Sequence, residues 1–350
     1  MIPRSIEISG RKIGDLYEPY IICELSGNHN GSLDRALLML EAAAATGCDA
    51  IKLQTYTPDT ITIDHNGPGF TIEGGLWHGR NLYDLYREAS TPFEWHAALF
   101  AKAKSLGITL FSTPFDETAA DLLADLGAPA FKIASFEAVD LPLIAHVARK
   151  GKPMIISTGM CNLAEISDAV RTARENGCEQ LALLHCVSSY PAASEDSNVR
   201  TVPHLAEAFG CVSGLSDHTF GPAASIASIA LGGALIEKHF TLARADGGPD
   251  AAFSLEPAEF KLLVEECKSA WRALGRVSYD LQGSERGSVV FRRSLYVVAD
   301  IAEGGEITRR NVRSIRPGHG LAPKHLPALL GRRASRNLTR GEPLAWDLVR

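Results

Sequence analysis

Although 45% of the 350 residues are hydrophobic, no apolar run in this chain approaches the roughly 20 residues that a membrane-spanning helix needs. A helical integral membrane protein is therefore excluded. The opening Met1-Ile2-Pro3-Arg4 lacks a long apolar stretch too, so neither a secretory signal nor a transit peptide is expected. The seven cysteines (Cys23, Cys48, Cys161, Cys178, Cys186, Cys211, Cys267) are odd in number and include no C-x-x-C pair. Both features count against a disulfide framework and a closed thiolate metal site. Most of these cysteines lie among apolar neighbours, where a reduced thiol packs as a small hydrophobe. A reducing cytoplasm suits that usage. No G-x-G-x-x-G follows an apolar run, which disfavours an open doubly wound sheet of the dinucleotide-binding kind.

Charge is present but uneven. The net charge is −6, yet residues 293–350 hold 11 Lys/Arg against 5 Asp/Glu. The rest of the chain is correspondingly acidic. A basic tail on an acidic body suits nucleic acid or the docking of complementary domains. No nucleic-acid motif accompanies the charge, so docking is the expectation, with neither a nucleic acid nor a membrane as partner.

Over the first 280 residues one unit recurs: a short apolar run, a polar break and a helix-length amphipathic stretch. The apolar runs fall at 20–25, 50–54, 109–112, 130–134, 153–157, 181–186, 211–215 and 234–239. Helical patterns occupy 34–46, 94–106, 118–126, 164–176 and 223–231. Gly47, Gly107, Gly127, Gly151, Gly177 and Gly233 stand where helix C-terminal caps belong. Eight strands alternating with helices predict an α/β fold, a (β/α)8 TIM barrel. The stretch 56–92 is too long for a simple βα turn. Its glycines and aromatics, among them Trp77, Tyr83 and Tyr86, predict an insertion over the barrel mouth. The expected division is a barrel domain at 1–280, a linker at 281–292 and a small domain at 293–350. So short a segment is poorly sized for an independent core.

In such barrels chemistry gathers at the C-terminal ends of the strands, and here nearly every apolar run ends in reactive groups. His218 and His239 close runs seven and eight, on strands that would be neighbours about 4.8 Å apart. Two imidazoles could share an ion and leave positions open for water and substrate, as a catalytic metal requires. Lys52 and Lys132 each interrupt an apolar run, where an ammonium is costly unless it meets an anion. A substrate bearing phosphate and carboxylate would meet that need, and Ser135, Ser157, Thr158 and Ser216 could donate further hydrogen bonds. A structural ion pair with Glu24 or Glu137 is the competing role for the lysines. The carboxylates Glu24, Glu137, Asp217, Glu237 and Asp250 are suited to acid, base or sugar-gripping roles. Asp217, next to His218, would face the other way along an ideal strand.

The motifs carrying these residues resemble the sialic acid synthase family. They include Glu24-Leu-Ser-Gly-Asn-His-Asn-Gly31, Ile51-Lys-Leu-Gln-Thr55, Phe131-Lys-Ile-Ala-Ser-Phe-Glu137, Leu215-Ser-Asp-His-Thr219, Ile236-Glu-Lys-His-Phe-Thr241 and Gly248-Pro-Asp250. The tail around Arg316-Pro-Gly-His-Gly320 resembles the antifreeze-like (SAF) domain that ends such chains. The resemblance implies catalytic roles for Glu24, Lys52, Lys132, Glu137, His218 and His239. The two histidines would bind a divalent metal, usually Mn2+, with Mg2+ or Co2+ as alternatives. Phosphoenolpyruvate would be held by Lys52, Thr113, Lys132, Ser135, Ser157, Tyr190 and Ser216. The amino sugar would meet Gln54, Glu137, Asp250 and Arg316, the last from the partner chain of a domain-swapped homodimer.

Within the family, Glu24-Leu-Ser-Gly-Asn-His departs from the Glu-Ile-Gly-x-Asn-His of the N-acetylneuraminate branch. Ser188-Ser189-Tyr190 stands where that branch carries Asn-x-Tyr, and Phe136 replaces a small residue beside Glu137. These features resemble the pseudaminic acid branch, whose acceptor is 2,4-diacetamido-2,4,6-trideoxy-L-altrose. An apolar Phe136 and Trp77 would suit so deoxygenated a sugar. The alternatives are an N-acetylneuraminate or legionaminate synthase taking a mannosamine-type sugar, a metal-dependent TIM-barrel hydrolase, and a non-catalytic sugar- or ice-binding protein.

Overall fold

The computed structural model describes residues 4–350. Residues 1–3, on which part of the no-signal expectation rests, lie outside the described residues. Two compact units divide the chain, one ending at Gly275 and the other spanning Arg276–Arg350. No helix among the described residues is long and apolar enough to cross a membrane.

The first unit opens with an antiparallel hairpin, β1 (Ser5–Ile8) and β2 (Arg11–Gly14). Eight parallel strands follow: β3 (Tyr20–Glu24), β4 (Ala50–Thr55), β5 (Thr109–Pro114), β6 (Phe131–Ile133), β7 (Met154–Ser157), β8 (Leu181–Cys186), β9 (Val212–Asp217) and β10 (Leu235–His239). They close into a barrel in sequence order, with β10 pairing both β9 and β3. The helices between strands start and stop where local chemistry dictates. Asp116 caps Glu117–Asp125 by accepting from Thr118 N and Ala119 N, Asn162 and Glu165 form a capping box on Leu163–Glu175, and Gly107 ends His96–Leu106 in the left-handed region at φ 68°. Before β10 it is Gly232, at φ 97°, that turns left-handed rather than the expected Gly233. A Cβ on Gly233 would instead meet Ser228 Oγ at 2.5 Å, so close approach explains that glycine.

Side-chain alternation explains why polar groups collect on one rim. At the lower end of each strand the inward residues are apolar: Ile22, Ala50, Phe111, Ala130, Ile155, Ala182, Val212 and Leu235 form one buried cluster. Ile6, Ile8 and Ile13 of the hairpin join that cluster and plug the lower mouth. Two or four residues further along the same faces stand Glu24, Lys52, Gln54, Thr113, Lys132, Ser157, Ser216, Glu237 and His239. The helices are held by two separate apolar layers outside the strands.

The second unit contains a 3-10 segment at Gly283–Phe291 and an antiparallel pair, β11 (Ser294–Val297) and β12 (Val312–Ile315). Despite its size it buries a cluster of its own, including Leu295, Val297, Ile307, Leu329 and Leu344.

Candidate active site

Four charged side chains meet in the barrel centre, none of them more than 5% exposed. Lys52 Nζ lies 2.5 Å from Glu24 Oε2 and 3.6 Å from Glu237 Oε1, and it donates to Thr113 Oγ1 at 3.0 Å. Lys132 Nζ lies 3.3 Å from Glu237 Oε2. Glu237 thus bridges both lysines, while Glu24 serves Lys52 alone.

The four groups do not respond alike to burial. Burial would lower Lys52, but Glu237 and Glu24 more than offset it and hold the ammonium charged. Lys132 stays lowered, because burial outweighs Glu237 and Lys52 repels it. Burial also pushes the two glutamates up; Lys132 and Lys52 reverse that for Glu237 but not for Glu24, which remains raised. Glu24 is therefore the carboxyl in this cluster best able to hold a proton.

Above the cluster sit the two imidazoles, with ring centroids 5.4 Å apart. His218 Nδ1 donates to Val187 O at 2.9 Å, so in the neutral ring it is Nε2 that carries the free lone pair. His239 Nδ1 is buried without a protein partner. Burial, then His218 and Lys52, push His239 well down, so its ring is neutral, as a metal ligand must be. Burial lowers His218 as well, but Cys186, whose Sγ is 3.7 Å from Nδ1, raises it overall. No group of three or more His, Cys, Asp or Glu is arranged to hold a metal among the described residues. The imidazole pair fits an open site completed by water and substrate, and does not fit a closed structural one.

The sugar-side candidates form a second chain of contacts. Gln54 Nε2 donates to Glu24 Oε1 at 3.2 Å and to Ser26 Oγ at 3.1 Å, and Ser26 Oγ donates to Asp250. Glu137 is pushed up to about 7 by burial, and its Oε2 is buried without a partner, as is Ser157 Oγ. Such orphaned atoms are sites a polar ligand would satisfy. Ser135 Oγ accepts from Gly159 N at 3.1 Å, and Ser216 is buried at the end of β9. Tyr190 lies over the imidazoles, 4.3 Å from His218 and 6.1 Å from His239.

Other rim residues turn elsewhere. Asp217 and Lys238 pair at 2.9 Å, and Asp217 also accepts from Ser225 Oγ at 2.6 Å, on the helix side of the strands. His185 Nε2 is engaged by Ser197 O at 2.8 Å, and Ser112 bonds Thr55 at 2.6 Å. Arg316 belongs to the second unit.

Glu237 has a larger part in the site than sequence reasoning assigned it, and Ser26, Cys186 and Phe253 were not anticipated. The signal for Glu237 is its spacing: it lies two residues before His239, hence on the same strand face. The other three come from loops or from a residue that reads as plain core.

A model described as the NeuB family matches residues 39–279, and one described as the SAF domain matches residues 292–350. A pseudaminic acid synthase from Helicobacter pylori is 43% identical over 336 residues, covering 95% of this chain and 98% of its own length. An N,N'-diacetyllegionaminic acid synthase from Legionella pneumophila is 35% identical over 341 residues, covering 94% of each. The crystal structure of an N-acetylneuraminic acid synthetase from Leptospira borgpetersenii, in complex with citrate, superposes with a TM-score of 0.73 at 30% identity, covering 82% of this chain and 95% of that one.

Proposed function

Because the chain belongs to the NeuB family, we infer that it is a phosphoenolpyruvate-dependent nonulosonic acid synthase of the pseudaminic acid type. It joins C3 of phosphoenolpyruvate to the aldehyde carbon of 2,4-diacetamido-2,4,6-trideoxy-L-altrose, and water and the two substrates become the nine-carbon acid and phosphate. The observation that carries this is the 43% identity to a pseudaminic acid synthase along nearly the whole of both chains, against 35% to the legionaminic acid enzyme. The hydrolase and ice-binding alternatives give way to that membership.

The roles of individual residues follow from their chemistry. Lys52 and Lys132 hold the carboxylate and phosphate of phosphoenolpyruvate, with Thr113, Ser135, Ser157, Tyr190 and Ser216 as hydrogen-bonding partners. Gln54, Glu137 and Asp250 hold the sugar hydroxyl and amide groups. When the nucleophilic C3 closes on the aldehyde, negative charge grows on the aldehyde oxygen, and Glu24, which burial makes the readier proton holder of the two cluster glutamates, would protonate it. The cation left at C2 is captured by water, and the C–O bond to phosphate then breaks. Clamping both reactants in line contributes much of the rate, roughly 7–11 kcal/mol for well-oriented pairs. His218 and His239 would hold a divalent ion, Mn2+ for preference, which would polarise the aldehyde. The orphaned Nδ1 of His239 and the fixed tautomer of His218 support this assignment. The protein would work in the cytoplasm, as a homodimer in which the basic tail of one subunit caps the acidic barrel of the other.

The direct test is phosphate release from phosphoenolpyruvate with a panel of amino-sugar acceptors. The diacetamido-trideoxy-altrose should give the highest kcat/KM. Preference for a mannosamine-type sugar would move the chain to another branch, and no release with any acceptor would refute the reaction. Chelation should abolish turnover and Mn2+ restore it; full activity in excess EDTA would refute metal dependence.

A further inference from the structure

We propose that Trp77, carried by the insertion at 56–92 and backed by the buried Phe253, forms the apolar wall that receives the deoxygenated, methyl-bearing end of the acceptor, and so sets the preference for a 6-deoxy sugar. The inference rests on the reaction assigned above and goes beyond it by naming the groups that select the sugar.

The insertion follows β4 and reaches past β3 to the loop after β10. Trp77 Nε1 donates to Pro249 O at 2.7 Å, which latches the insertion to the loop after β10. The indole then stands 5.7 Å from the Tyr190 ring and 6.5 Å from Phe253. Phe253 in turn lies 5.3 Å from Tyr190 and 4.9 Å from His239. These contacts make a continuous aromatic box that begins at the imidazoles and ends at the insertion.

Two features tie the outer end of the box, at Trp77, to the acceptor, while Tyr190 at its inner end serves phosphoenolpyruvate. The latch is one residue from Asp250, whose carboxylate joins Ser26 and Gln54 on the sugar side. Trp77 also spends its only donor on Pro249 O, so the face that the half-buried indole presents offers nothing to a sugar hydroxyl. An aromatic face takes C–H and methyl groups well and leaves a hydroxyl unpaired. Phe136, the other apolar residue suggested by sequence, is 57% exposed and makes no ring contact with the box.

The test compares the diacetamido-trideoxy acceptor with the same sugar carrying a 6-hydroxyl, by kcat/KM, in wild type, Trp77→Ala and Trp77→Phe. Wild type should favour the deoxy sugar, and Trp77→Ala should cut that ratio about tenfold or more while KM for phosphoenolpyruvate stays within about twofold. Trp77→Phe, which restores an apolar ring without the latch, should recover most of the ratio. An unchanged ratio in Trp77→Ala overturns the proposal, as does an equal rise in both KM values, which marks a general loss of structure. Wild type that turns over neither sugar removes the reaction itself, an outcome distinct from an active enzyme with an unaltered ratio.

Discussion

Glu137 shows at the scale of one residue how a site is held against the stability of its fold. Burial raises its pKa to about 7 from an ordinary 4.5, with its own backbone and Lys132 opposing only in part. The folded state therefore keeps a proton that the unfolded chain has lost between about pH 4.5 and 7, and folding becomes less favourable as pH rises through that window. Glu137→Gln removes the penalty. It should stabilise the protein at pH 8 by up to about 3 kcal/mol, since a tenfold change in proton affinity is worth about 1.36 kcal/mol, and the gain should vanish below pH 4.5. If Glu137 grips the sugar, the same variant raises KM for the acceptor. Urea unfolding at pH 4 and 8, with acceptor kinetics at pH 8, reads both effects; a loss of stability at pH 8 would show the carboxylate to be a structural asset. Most of the charged cluster is legible in the sequence, because an ammonium in an apolar run is conspicuous and period-two spacing puts Lys52 with Gln54, and Glu237 with His239, on one face. The bridging of both lysines by Glu237 is not legible. It depends on how far three strand tips lean toward each other, which spacing along the chain does not encode.

At the scale of elements, the site depends on how closely β9 and β10 approach, since these strands carry Ser216, Glu237 and His239, and His218 follows β9 directly. Gly214 permits that approach: a Cβ there would lie 2.1 Å from Leu235 O and 2.9 Å from Leu235 Cβ. Backbone cannot yield as a flexible side chain can, so Gly214→Ala must push the strands apart. Overpacking of this kind costs roughly 1–3 kcal/mol. The fall in kcat should exceed what partial unfolding explains, because the imidazoles move with the strands. Measuring kcat on fully folded protein, as judged by circular dichroism, checks this; a variant merely less stable but fully active would show that the spacing is not critical. The barrel strands are readable because they are short apolar runs ending in polar tips. Leu141–Ala148 is harder to read as a helix, being almost wholly apolar with a proline in its first turn, so it lacks an amphipathic period. The plug hairpin is harder still. Each strand has only four residues, charged ones among them, and only its isoleucines enter the apolar cluster at the lower mouth.

For the whole molecule, the open question is whose barrel Arg316 serves. The uneven charge favours the proposed tail acting across a dimer, and that arrangement has a consequence which a tail acting on its own barrel lacks. Take one subunit disabled in the barrel by Lys52→Ala and another disabled in the tail by Arg316→Ala. Each homodimer would be inactive toward the amino sugar. In a mixed dimer the intact barrel of the second subunit would receive the intact arginine of the first, and one complete site would form. Random reassortment of a twofold dimer makes half the dimers mixed, with one working site of two, so activity should recover to about a quarter of wild type. If the tail serves its own barrel, every site in the mixture carries a lesion and mixing restores nothing. Phosphate release, measured after the two variants are dissociated and reassembled together, separates these outcomes, and size-exclusion chromatography of the same mixture establishes that dimers are present to exchange.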